Sequence, residues 1–365
     1  MVLENFLDVA RFFKTDYHKC RQQFLSACDK VSYLQRQSRS WPLGGEGLPD
    51  LSVDAAWFGH PDARRVLVML SGTHGVEGYC GSAIQSFLLH ELNQQTSPLP
   101  DDMALLMVHS LNPWGMYWAR RCDHQGIDLN RNFVDFANLP GTDPRQHHVM
   151  SALLRESEGA RMAAFQQLVM QWGQGEFERV VTEGQYEFSW APFYGGSGPS
   201  FSAGVVDELI AHWQLESREL VVIDLHSGLG PWAYGELISD HPAESAANAY
   251  ARRLFGAAVA NTMSGDSFSQ PKFGLLDYRW HTLMADRGCY LTLEFGTYST
   301  DALFSVLCQD HLWWRQRTPD SLQDDAYQVT RQAMLKHFCP RDLIWQQAVV
   351  FKAWQVMQRV VDLFS

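Results

Sequence analysis

The chain has no CxxC spacing among its seven cysteines (20, 28, 80, 122, 289, 308 and 339), no excess of positive charge, and no apolar run long enough to span a bilayer. Scattered cysteines, odd in number, argue against a disulfide framework and read as mostly reduced thiols. The net charge of −12, from 29 basic and 41 acidic residues, argues against general nucleic-acid binding, which needs a basic surface. It leaves room for a locally positive pocket. The start MVLENFLDVARFFKTDYHKC lacks the basic segment, apolar core and small-residue cleavage site of a signal peptide, so a cytoplasmic location without membrane contact is expected. Signatures of other chemistries are missing too. There is no G-x-S-x-G elbow and no GxGxxG after a strand, and Gly195-Gly196-Ser197-Gly198 lacks the Lys-Ser/Thr ending of a phosphate loop.

Hydrophobic residues make up 46% of the chain and charged residues 19%, which marks a globular protein rather than a disordered one. Four apolar runs, RRVLVMLSGTHGVEG (64–78), ALLMVHSLNP (104–113), ELVVIDLHSGLG (219–230) and GCYLTLEFGTY (288–298), read as strands buried on both faces. Helical patterns are predicted over 4–30, 78–92, 142–180, 204–216, 242–262, 320–338 and 342–364. Residues 38–50, with Pro42, Gly44, Gly45, Gly47 and Pro49, read as a loop. Residues 183–204, rich in Gly, Ser and aromatics, read as a long ordered loop, either a lid or packing. Trp190, Phe193 and Tyr194 in it are candidates for a pocket rim. Strands alternating with helices give an α/β fold with a mainly parallel sheet. One domain over 1–365 is expected, with its core at about 50–300, an N-terminal helix and a C-terminal helical extension.

In such sheets ligands bind beyond the carboxyl ends of the strands. There the chain places His74 and Glu77, then His226, then Glu294, and after the second strand Arg121, Asn130 and Arg131. HxxE alone is a weak signal and reads more readily as a turn His and a helix-start Glu. Adding His226 gives two His and one Glu with an open fourth position, a set suited to catalytic zinc. Asp224 points to the same side of its strand as His226 and is a candidate acceptor for that imidazole. Glu294 is a carboxylate at the end of an apolar strand. It is either a buried ion-pair partner or, beside a metal, a general base. Arg131 has the shape to clamp a carboxylate, and Arg121 can present a cation to a forming oxyanion. Taken singly, any of these arginines fits an ordinary surface or ion-pair role.

HGVE (74–77), DLNRNF (128–133), DLHSG (224–228) and LEFG (293–296), in that order, resemble the zinc carboxypeptidase superfamily, including its aspartoacylase and succinylglutamate desuccinylase group. GQYEFSWAPFYGGSGPS looks like a segment of a carboxypeptidase-like branch without an assigned function, over which the likeness runs almost end to end. The resemblance implies a mixed, twisted sheet of about eight strands between helices. It implies one zinc held by His74, Glu77 and His226, with Asp128, Asp224 and several His leaving a second metal open. It implies substrate-carboxylate binding by Asn130 and Arg131, oxyanion stabilisation by Arg121 rather than Arg120, and Glu294 as base. The substrate-capping tyrosine has no clear match, and Tyr278 is nearest in order. The stretch from Asn130 to His226 is longer than in digestive carboxypeptidases, so the cavity entrance is expected to differ.

These residues fit a zinc hydrolase that cuts an amide beside a free carboxylate. A second reading is a deacylase of N-acyl amino acids, and a third a catalytically silent peptide-binding protein. The expected partners are a peptide or an N-acyl amino acid.

Overall fold

The computed structural model describes residues 7–31, 35–45, 49–94, 99–265, 267–318 and 324–364. Eight strands form one sheet: β1 (Arg36–Leu43), β2 (Leu51–Gly59), β3 (Arg65–Ser71), β4 (Met103–His109), β5 (Glu219–Ser227), β6 (Gly235–Ser239), β7 (Val259–Asn261) and β8 (Gly288–Phe295). Their order is β1-β2-β4-β3-β5-β8-β6-β7. The four central strands, β4, β3, β5 and β8, run parallel. Antiparallel pairings bring in β2 and β1 at one side and β6 at the other, and β7 pairs parallel to β6. The sheet is therefore mixed and mostly parallel.

The four apolar runs are those four central strands. Their side chains alternate between two cores. Val66, Val68 and Leu70 of β3 face one layer, and Leu67 and Met69 face the other. Burying each such side chain contributes about 1.5–3 kcal/mol. One layer is built on α1 (Tyr17–Lys30), α2 (Gly78–Gln94) and the C-terminal helix Leu343–Phe364; the other uses the helices Phe201–His212 and Asp277–Met284.

Several predicted boundaries change. The helix expected over 4–30 is a short 3-10 turn, Val9–Phe12, followed by α1, whose Asp16 side chain caps Lys19 N; residues 4–6 lie outside the described residues. Part of the loop expected at 38–50 is β1, a polar edge strand whose Pro42 is tolerated because β1 pairs on one side only. The helical stretch 142–180 is three helices, Gln146–Leu153, Glu158–Trp172 and Gln174–Thr182, broken by the Ser157 cap and by Gly173 at φ +83°. Helix 242–262 shortens to Ala246–Phe255 and then gives way to β7. Among the described residues, no helix is long and apolar enough to cross a membrane.

Candidate metal centre and substrate cavity

The carboxyl ends of β3, β5 and β8 open into one cavity of about 890 Å³, counted to its mouth. His74 follows β3 at the start of a 3-10 turn, Gly75–Glu77, that leads directly into α2. Gly75 and Val76 donate their N–H groups to the carbonyls of Arg121 and Arg120 at 3.1 and 2.8 Å. A Cβ on Gly75 would lie 2.2 Å from the Gly115 carbonyl carbon, so no larger residue permits this approach. The HxxE turn and the arginine segment are thus one stitched unit.

His226 sits on β5 opposite Glu294 of β8. His226 Nδ1 is 3.2 Å from His74 Nδ1 and 3.0 Å from Glu77 Oε2, while His74 Nδ1 is 2.9 Å from Glu77 Oε1. One ligand atom from each of these three buried residues lies within 4.8 Å of the others. The remaining ring nitrogens meet carboxylates: His226 Nε2 is 2.7 Å from Asp224 Oδ2, and His74 Nε2 is 3.1 Å from Asp128 Oδ1, the latter without hydrogen-bond alignment. Such partners direct Nδ1 of each ring toward an ion. Asp224 is itself held by Thr73 Oγ1 at 2.9 Å and Tyr290 OH at 2.7 Å. Ser227 N donates to Glu77 Oε2 at 3.1 Å. Burial opposes ionisation of Glu77 and Asp128. The neighbouring imidazoles outweigh it for Glu77, and Arg121 with His74 for Asp128, so both carboxyls titrate well below their usual range. The donor set, two imidazoles and a carboxylate with an open side, fits a catalytic divalent ion.

Arg121 donates through Nε to Asp128 Oδ2 at 2.8 Å and reaches Glu77 Oε1 at 3.3 Å. Its neighbour Arg120 turns away to a buried ion pair with Asp310 at 2.8 Å, its guanidinium 4.5 Å from the Trp314 ring centre. Adjacent arginines therefore have different environments. Glu294 accepts from Leu229 N at 3.1 Å; burial, and then the charge of Glu77, push its carboxyl up to about 8.

Asn130 and Arg131 lie in the 3-10 turn Leu129–Arg131, capped by Asp128, whose Oδ1 accepts from Asn130 N at 3.0 Å. Asn130 Oδ1 accepts from Leu276 N at 2.8 Å. Arg131 gives Nε and Nη2 to the Thr182 carbonyl at 3.0 and 2.7 Å and Nη1 to the Asn130 carbonyl at 2.6 Å. Both side chains line the cavity. The 183–204 segment is packing for this turn. Tyr186 OH donates to the Arg131 carbonyl at 2.8 Å, Asp128 N donates to the Tyr194 carbonyl at 2.8 Å, and Gln185 bridges to Tyr194. Phe193, at φ +61°, lies between the two cavity arginines, 5.4 Å from Arg121 and 5.5 Å from Arg131.

Tyr278 does not join them. It is 39% exposed, its OH donates to the Lys272 carbonyl at 2.8 Å, and it is not among the cavity-lining residues. Four contributors escaped sequence reasoning. Tyr290 shares a strand face with Thr292 and Glu294, so the period-two alternation of β8 was the signal for it. Tyr290 acts by holding Asp224, while Lys272, Asp240 and Ser269 line the cavity itself; these three come from loops with no pattern to mark them.

Among solved structures, the chain is similar to a carboxypeptidase A from Helicoverpa armigera: 14% identity over 95% of this chain and 73% of that one, with a TM-score of 0.50. Weaker likenesses include an aspartoacylase family protein from Mesorhizobium loti, with 15% identity over 77% and 66% of the two chains and a TM-score of 0.39. Another is a putative metallopeptidase from Shewanella amazonensis, with 14% identity over 89% and 94% and a TM-score of 0.41. No curated protein matches. The fold is thus that of the carboxypeptidases, and, with residues 13–352 matching, the chain belongs to the family described as "Protein of unknown function (DUF2817)".

Proposed function

We propose that this protein is a zinc-dependent hydrolase of carboxypeptidase type, cutting an amide bond next to a free carboxylate. The observation that carries the reading is the convergence of His74, Glu77 and His226 in the cavity that also holds Glu294, Arg121 and Arg131. The first three residues would hold the metal, which supplies Lewis acidity at the scissile carbonyl and lowers the pKa of water.

This chain's own groups do the rest. Arg131 has five N–H bonds and spends three on backbone carbonyls. The two left over are donors for a substrate carboxylate. Asn130, with its Oδ1 occupied, has its amide NH₂ to add. That anchor sets the neighbouring amide against the metal ligands. Glu294, its ionised form favoured by the positive charge of a metal held beside it, takes a proton from the attacking water and passes it to the leaving nitrogen. Arg121, fixed by Asp128, donates to the oxygen on which charge develops.

Deacylation of an N-acyl amino acid is the second reading. It is favoured by one observation, the further cation Lys272 in the cavity, since small acylated substrates rely on charge more than on peptide contacts. Purified protein should lose hydrolysis on chelation and regain it with zinc. Side-by-side rates on short peptides and on N-acyl amino acids separate the two readings. Turnover of neither by zinc-loaded protein would reject both.

A further inference from the structure

Among the described residues, Arg131 and Lys272 line the cavity with no carboxylate within ion-pair distance. Arg131 is fully buried; its hydrogen bonds go to backbone carbonyls, its guanidinium lies 5.5 Å from the Phe193 ring centre, and Asp128 acts on it from beyond ion-pair distance. Lys272 is partly buried and donates to Ser269 Oγ and, at 2.7 Å, to the Gln270 carbonyl. An ammonium has three N–H bonds, so one remains. Ser269 and Gln270 line the cavity beside Lys272, and Pro271 stiffens the loop between them. The charged groups that act on Lys272 are Arg131 and Arg121 on one side of the balance and Asp240 and Glu294 on the other, with Asp277, whose carboxyl burial pushes well above its usual range, as a further neighbouring acid. Among the described residues none of these acids lies within ion-pair distance of it; Asp240 Oδ1 instead accepts from Thr262 Oγ1 at 2.6 Å. Burying a cation without a counter-charge is costly, and a ligand that brings the missing anion relieves that cost. One carboxylate, the substrate's α-carboxylate, answers Arg131. A second is needed for Lys272.

We infer that the cavity selects substrates whose carboxyl-terminal residue carries an acidic side chain, and that Lys272 recognises that second carboxylate. The inference rests on the proposed function for placing the α-carboxylate on Arg131. A basic side chain directed at Asp240 would bring its ammonium against Lys272 and Arg131, and a neutral one would leave Lys272 unanswered.

The test is calorimetric binding of free glutamate, glutamine and lysine, the amino acids such hydrolysis would release, to the zinc-loaded protein and to its Lys272→Met and Lys272→Arg variants. Kinetics on acyl dipeptides ending in the same three residues accompany it. Glutamate should bind at least about tenfold more tightly than glutamine or lysine. Lys272→Met should erase that preference and Lys272→Arg retain it. Equal binding of glutamate and glutamine by the wild-type protein, tightest binding of lysine, or a preference that survives Lys272→Met overturns the inference. Hydrolysis of all three substrates at similar rates would sink the specificity and keep the hydrolase. Lys272-dependent glutamate binding without hydrolysis of any substrate would do the reverse.

Discussion

On the metal side of the cavity, carboxylates meet imidazole nitrogens and a guanidinium within the protein. Glu77 lies among His74, His226 and Arg121; Asp128 joins His74 to Arg121; Asp224 backs His226 and is held by Thr73 and Tyr290. On the substrate side, Arg131 and Lys272 reach neutral oxygens. The first arrangement is complete in the folded chain and orients ligand atoms in advance. The second is completed by an anion from outside. Preorganisation for a metal and recognition of a carboxylate thus make opposite demands on charge balance, and one cavity meets both.

The largest expected effect lies where the halves meet. Glu294→Gln should lower kcat by about 10²–10⁴-fold and leave zinc content unchanged; full activity would remove Glu294 as base. On the substrate side, Arg131→Met should lower kcat/KM by about 10–100-fold for substrates with a free carboxylate and leave their amidated forms unaffected. An equal loss on both forms would mean that Arg131 supports the fold rather than the carboxylate. On the metal side, Asp224→Asn should weaken zinc binding by about 10–100-fold, measured by competition with a chromophoric chelator. Unchanged affinity would show that the balance around His226 is not what fixes it.

The smallest effect concerns pH. Burial, with Arg131 and Arg121 nearby, lowers the Lys272 ammonium to about 8, with Asp240 and Glu294 opposing the shift. Lys272 is charged below that value and neutral above it. The preference for glutamate over glutamine should therefore be full near pH 7 and fade as pH rises through about 8. A preference constant to pH 9 would show that it does not depend on a Lys272 ammonium titrating near 8.

The parts legible in sequence were those with a period. The central strands announced themselves as buried on both faces, and their ends carried His74, Glu77, His226 and Glu294. β1 was hidden by its polar, proline-bearing edge character, and β6 and β7 by lengths of five and three residues. Asp224 was readable from strand alternation. The different environments of Arg120 and Arg121 depend on Asp310, 190 positions from Arg120, which no local pattern marks. Lys272 acts through tertiary placement alone, whereas of the rim candidates Trp190, Phe193 and Tyr194 it is Phe193 that lines the cavity. The aromatic segment could not be sorted into lid or packing until its hydrogen bonds to the Asp128–Arg131 turn were seen.

The central claim is that folding gathers His74, Glu77 and His226 around one divalent ion. Anomalous diffraction at the zinc edge from crystals of the zinc-loaded protein tests it directly. The account predicts a single peak bounded by the two Nδ1 atoms and the Glu77 carboxylate; a peak held by other residues, or none at saturating zinc, would contradict it.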